Sequence, residues 1–247
     1  MGVGKIASTC LTVGLTALAA AAFAGGCGGD GESGSGGSGI IPGAGGNVGT
    51  PGSGPYQPMV VSATWNYHVD DQGITYEKQS KVESQEDLGG TKAGISGFKV
   101  RETVKESIQL TWYQVVDTGV VRHHDQMQDT SGRMLSDEWY DPYLLRTDES
   151  SAHLQAGATW TIDYTNTKTT TSKPTATVAH AETWMVDAVD ESITVAAGTF
   201  SALKVTRTDT SDGSTKTQWF VRGIGKVREQ TGAGHVEELT AYQVPAQ

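Results

Sequence analysis

The chain has 247 residues, with 28 acidic against 18 basic side chains, a formal net charge of −10, 32 glycines and two cysteines. Such an acidic balance makes nucleic acid and anionic lipid surfaces poor partners. Two cysteines are too few for the disulfide scaffold of a small secreted protein.

Residues 1–26 have the parts of a secretory leader: a basic start with Lys5, an apolar stretch from Leu11 to Phe23, and small residues at the end. The apolar part is about 13 residues, short of the roughly 20 that a spanning helix needs. It closes on Phe23-Ala24-Gly25-Gly26-Cys27. Ala24-Gly25-Gly26-Cys27 resembles the lipobox of bacterial lipoproteins. The resemblance implies that Cys27 is acylated and that the chain is cut just before it. Several acyl chains would satisfy the two-signal requirement for stable anchoring. The competing reading is a plain leader cleaved near Ala24 or Gly26, with Cys27 an incidental thiol. In the lipoprotein family an aspartate directly after the cysteine tends to retain the protein on the inner membrane. Here Gly28 follows Cys27 and Asp30 comes two places later, so the resemblance implies the outer membrane, with its periplasmic or surface face left open.

Cleavage removes Lys5 and Cys10 with the leader. That leaves 17 of the 18 basic residues against 28 acidic ones and a single cysteine, so no intramolecular disulfide can form. Residues 27–55 then read as a tether, about half glycine over positions 28–54. A segment of that composition cannot bury enough apolar surface to offset its ordering entropy, and disorder is expected. Its end-to-end distance as a flexible coil is roughly 30 Å.

Residues 56–247 form the folded part, long enough for one domain with a sizeable core. Apolar and aromatic residues alternate in Trp65-x-Tyr67-x-Val69, Ile74-x-Tyr76, Ile108-x-Leu110-x-Trp112 and Trp160-x-Ile162-x-Tyr164. A period of two with aromatic and β-branched residues predicts half-buried strands. Asp70–Gly73, Asp117–Gly119, Asp129–Gly132, Asp209–Gly213 and Thr231–Gly234 separate the runs with hairpin chemistry. An all-β antiparallel meander follows, curved into a half-barrel or barrel-like sheet, with a two-sheet sandwich still open. The stretches Ser62-Ala63-Thr64-Trp65 and Gly157-Ala158-Thr159-Trp160 echo one another and raise the option of two similar halves, 56–150 and 151–247.

The segment Ile193–Phe200, with its Ala197-Gly198-Thr199-Phe200 turn, is followed by Leu203-Lys204-Val205 and by Trp219-Phe220-Val221-Arg222-Gly223-Ile224-Gly225-Lys226-Val227. This order resembles a pattern in uncharacterised envelope lipoproteins whose architecture is similar to the LolA and LppX half-barrels. The resemblance implies a concave sheet able to hold acyl chains. Ala196 stands where that pattern usually has proline. Gly223-Ile224-Gly225 is read as a tight bend and not as a dinucleotide loop, because a third glycine and a following helix are missing.

No catalytic constellation is specific. His123-His124-Asp125 is the one histidine cluster, and strand alternation separates its two rings, so no metal or other cofactor is expected. Acidic pairs such as Asp137-Glu138 and Asp190-Glu191, with Asp187, leave a carbohydrate hydrolase as one alternative. Trp139, Tyr140 and Tyr143 lie among acids beside Pro142. They read either as an exposed loop docking an envelope protein or as a lid folded back on the core. The principal expectation is a non-catalytic, lipid-anchored envelope protein. A concave face drawn from Trp65, Trp112, Trp160, Trp184 and Trp219 would hold an apolar ligand or lipid.

Overall fold

The computed structural model describes residues 52–246, so the leader, Cys27 and nearly all of the expected tether lie outside the described residues. Twelve strands are laid down in sequence: β1 (Thr64–Asp71), β2 (Ile74–Asp87), β3 (Ser96–Val104), β4 (Ser107–Val116), β5 (Gly119–Asp129), β6 (Met134–Asp148), β7 (Thr159–Thr170), β8 (Ala176–Val195), β9 (Gly198–Asp209), β10 (Thr215–Val221), β11 (Gly225–Thr231) and β12 (His235–Gln243). Each pairs antiparallel with the next, and β1 pairs with β12, closing the meander into a barrel. Closure removes the long unpaired edges that an open sheet of this many strands would carry. Of the shapes open from sequence, the closed barrel is the one adopted.

The turns fall where asparaginyl-like and glycyl chemistry places them. Gln72-Gly73 joins β1 to β2, with Asp70 accepting the Gly73 N–H at 2.7 Å. Asp129 accepts four N–H or O–H bonds across the β5–β6 turn, and Asp209 accepts from the Ser211 N–H and hydroxyl after β9. In the β10–β11 bend Gly223 and Gly225 have φ of 73° and 112°, and the Trp65 indole N–H donates to the Ile224 carbonyl. A side chain at Gly225 would meet that indole at 3.2 Å, so the close backbone approach expected there is real.

Because the strands alternate up and down, the connections after β2, β4, β6, β8 and β10 share one rim with the start of β1 and the end of β12. Residues 52–60 lie on that rim. The Gly52 N–H donates to the Arg222 carbonyl, the Gly223 N–H to the Pro55 carbonyl, and the Tyr56 N–H to Glu149 at 2.8 Å. Tyr56 and Met59 are buried, packing into the two largest apolar clusters. One cluster gathers Trp65, Tyr67, Val82, Val100, Leu239 and their neighbours; the other gathers Trp184, Val186, Leu203, Val205 and Phe220.

The stretch 137–143 is part of β6, not a loop. Ladder pairing with β5 nonetheless jumps from His124↔Trp139 to Arg122↔Leu144, so Tyr140–Tyr143 bulge out opposite the single residue His123. Pairing with β7 ends at Asp141↔Thr165. Pro142, which has no N–H to give a ladder, therefore sits where both ladders are interrupted.

Candidate functional site

Strand alternation puts every second residue inside the barrel, and several of these positions carry charge. On β2 the buried set is Lys78, Ser80 and Val82, while Glu77, Gln79, Lys81 and Glu83 are exposed. On β11 and β12 the inward phase holds Glu229, Glu237 and Leu239. The result is an interior lined by ion pairs as well as rings.

Glu237 is the hub at one side. Lys78 Nζ donates to its two oxygens at 2.6 and 2.7 Å, and Lys226 Nζ donates to it at 2.6 Å. Glu229 accepts from Lys226 at 3.0 Å and from Gln218 at 2.7 Å, with Lys216 2.9 Å away. Burial works to raise both carboxyls, but the surrounding lysines outweigh it and hold the two below the usual carboxylate range. Lys216 pays the opposite penalty: burial pushes it down to about 8, and Glu229 offsets that only in part.

Across the barrel, Glu182 accepts from Tyr164 at 3.1 Å, from the Trp184 indole at 3.2 Å and from Arg207 at 3.3 Å. Asp125 accepts from Thr111 at 2.6 Å, Arg122 at 2.7 Å and Tyr140 at 3.0 Å. Arg122 also donates to the Tyr113 hydroxyl at 2.8 Å. Arg146 is different. Only 7% of it is exposed, yet among the described residues no hydrogen bond or ion pair reaches its guanidinium, and its Nε is buried without a partner. It borders a cavity of ≈ 50 Å³ together with Gln57, Trp65, Tyr67, Ser80, Val100, Glu102, Tyr113 and Lys226.

The five tryptophans expected to share one concave face are divided between environments. Trp65 lines the small cavity, and Trp184 is buried against Glu182 with Arg207 over its ring. Trp160 stacks between His153 and Trp184, with centroids 3.8 and 5.9 Å away. Trp112 and Trp219 point outward. Trp112 donates to Glu86 and lies under Leu88 and Ile95 of the β2–β3 connection, and Trp219 donates to Glu191.

Trp112, His124 and Trp139 form a three-ring stack on the outer face, with centroid spacings of 4.4 and 3.9 Å. Asp137 accepts from the Trp139 indole at 2.8 Å and lies 2.7 Å from His124 Nε2. The turn at Gly90–Lys92 covers the stack: Gly90 has φ 51°, and a Cβ there would lie 3.0 Å from the Trp139 ring. Tyr140 is buried beside Asp125, whereas Tyr143 is 39% exposed. Of the three aromatics proposed for docking, Trp139 and Tyr140 are thus packed, and Tyr143 is exposed while meeting the His123 ring edge-on with centroids 6.1 Å apart.

His123 and Asp125 do not meet. His123 pairs with Gln114 at 2.9 Å. Among the described residues the convergent set with metal-ligand chemistry is Glu229, His235 and Glu237, whose ligand atoms lie within 4.8 Å of one another. Three ammonium groups already neutralise those carboxylates, so a cation would have to displace them. The acids weighed for glycoside chemistry are also dispersed. Asp137 serves the outer stack, Glu138 pairs with Lys168, Asp187 accepts from Thr206 and Asp190 from Ser201.

The buried charges were missed by sequence reasoning, though a signal exists. Lys78, Glu102, Glu182, Arg207, Glu229 and Glu237 all fall in phase with the apolar and aromatic positions of their strands, such as Tyr76-x-Lys78-x-Ser80-x-Val82 and Glu182-x-Trp184-x-Val186. No protein-family model, curated protein or solved structure matches the chain.

Proposed function

We propose that this chain is a lipid-anchored envelope protein whose barrel is a non-catalytic binding or scaffolding body that works through its outer surface. One observation carries the reading: the interior is lined by rings and mostly paired charges, the cavity beside Arg146 is only ≈ 50 Å³, and the larger space of ≈ 430 Å³ lies at the rim between Pro55, Phe98, Val116 and Glu149. Pockets that engulf a small organic ligand run to roughly 300–1,000 Å³, so an acyl chain in the interior would have to displace the Lys78–Glu237–Lys226 cluster. A concave lipid-holding face is therefore the weaker version of the proposal.

The outward face supports a barrel bathed in water. His68, Glu77, Gln79, Lys81 and Asp163 project from the strands, where a lipid-facing barrel needs a continuous apolar band about 25 Å tall. Membrane attachment is accordingly assigned to acylation at Cys27 of the lipobox-like Ala24-Gly25-Gly26-Cys27, with the outer membrane as the compartment.

Intact-mass spectrometry of the chain isolated from native envelopes tests the anchor. The expected result is a polypeptide beginning at Cys27 with acyl mass, and its Cys27→Ser variant released into the soluble fraction with the barrel still folded. An unmodified chain starting elsewhere would overturn the proposal. A docking role for Tyr143 is read by crosslinking in the envelope, where Tyr143→Ala should lose a specific partner without loss of folding.

A further inference from the structure

Arg146 is an anomaly in an interior where the other charges are paired. Six cations (Lys78, Arg122, Arg146, Arg207, Lys216 and Lys226) face five carboxylates (Glu102, Asp125, Glu182, Glu229 and Glu237), and each cation but Arg146 has a carboxylate within 4 Å. An uncompensated guanidinium taken out of water is costly, and structures ordinarily pair it or hydrogen-bond it. The surplus charge is felt nearby: Arg146 and Arg122 both add to the burial that lowers Arg207, and Arg146 likewise contributes to the depression of Lys216.

The cavity beside Arg146 offers matching polar groups. The Ser80 hydroxyl, on a residue 6% exposed, makes no hydrogen bond among the described residues and can donate, whereas Gln57 Oε1, buried without a partner, only accepts. Tyr113 accepts from Arg122 and so keeps its own proton free to donate. A space of ≈ 50 Å³ holds about three or four water-sized spheres, the size of an oxyanion with roughly four non-hydrogen atoms. A planar guanidinium fork fits the two oxygens of a carboxylate in particular. The β6–β7 ladder stops at Asp141↔Thr165, so the part of β6 that carries Arg146 has no backbone pairing to β7.

We propose that Arg146, with the Ser80 and Tyr113 hydroxyls, forms an internal receptor for one small carboxylate-type oxyanion of the size of formate, acetate or bicarbonate. The anion supplies the missing charge and locks the barrel interior. This site is independent of the anchoring and docking roles above, because neither Cys27 nor Tyr143 takes part in it.

The test is denaturant unfolding of the full chain in detergent, titrated with sodium formate or acetate against sodium chloride at matched ionic strength. For the wild type, the midpoint is expected to rise with the logarithm of formate concentration and to stay flat in chloride. Inorganic phosphate, which is bulkier, should raise it less. In Arg146→Met the formate-specific rise should be lost, while in Arg146→Lys it should survive at weaker apparent affinity. If Arg146→Met fails to fold, Ser80→Val, which fills the cavity and leaves the guanidinium, serves in its place. Its effect is then read from the line width of ¹³C-formate, broadened by wild type and unaffected by the variant. A wild-type midpoint that responds identically to formate and chloride overturns the proposal, as does a formate response that persists in both Arg146→Met and Ser80→Val.

Discussion

Replacing Glu237 by glutamine removes one charge from the centre of the barrel without changing its shape. Glu237 accepts from Lys78 at 2.6 and 2.7 Å and from Lys226 at 2.6 Å, and Lys78 is only 6% exposed. Without that carboxylate, Lys226 retains Glu229 at 3.0 Å, but the nearest acid to Lys78 is Glu102 at 3.8 Å. Removing one partner of a buried pair in this way costs about 3–5 kcal/mol, because the remaining ammonium stays desolvated. For a domain of this size that corresponds to a fall in melting temperature of roughly 6–20 °C. The adjacent Glu238 is the internal control. It faces outward, 3.4 Å from Arg228, with both side chains about a third exposed, so Glu238→Gln should cost no more than about 0.5 kcal/mol. Adding Lys78→Met to Glu237→Gln should recover at least half of the loss, since the ammonium stranded by the first substitution is then gone from the interior. Guanidinium unfolding followed by tryptophan fluorescence measures the wild type, Glu237→Gln, Glu238→Gln, Lys78→Met and the double variant. The reasoning is refuted if Glu237→Gln and Glu238→Gln cost the same, or if the double variant is as unstable as the sum of its singles.

Leu239→Ala, at a position with 0% exposure in the largest cluster, should cost about 2–5 kcal/mol in the same unfolding assay. Gly90→Ala should cost more than Gly73→Ala: both have positive φ, but only the Gly90 methyl would press on the Trp139 ring, and loss of that contact should register as altered near-ultraviolet circular dichroism. The pH profile of stability should be a dome. Glu229, Glu237 and Asp209 are held below their unfolded values, so their contribution is present above about pH 4.5 and lost as pH falls. His235 is raised by Glu237, so its contribution is full below about pH 6.5 and disappears as pH climbs through the folded value, and His235→Gln should flatten that limb of the denaturant-midpoint curve.

The strand class and most turns were legible in the sequence because they depend on local chemistry. Asp70, Asp129 and Asp209 satisfy their own turn amides, and Gly73, Gly213, Gly223 and Gly234 supply positive φ at four of the reversals. Closure was not legible, because it rests on the pairing of Thr64 with Gln243, a contact between residues far apart in sequence that no local pattern encodes. Pro142 misled for an instructive reason. It does interrupt pairing, but a wide bulge absorbs the interruption inside one strand, so Trp139 and Tyr140 remain packed. The tryptophans misled more simply, since Trp112 and Trp219 occupy the opposite pleat from Trp65, and only the second layer of chain over them hides their rings.

Thr64 beside Gln243 also fixes how the molecule can be extended. A reporter joined after Gln243 would emerge on the rim that residues 52–60 occupy. Hairpin tips such as Ser131-Gly132 and Asp212-Gly213 crown the far end, and the two glycines there have open space around them. Epitopes inserted at those tips would be presented on the rim opposite residues 52–60, so under the proposed attachment at Cys27 immunogold distances from the bilayer would test whether that rim faces away from it.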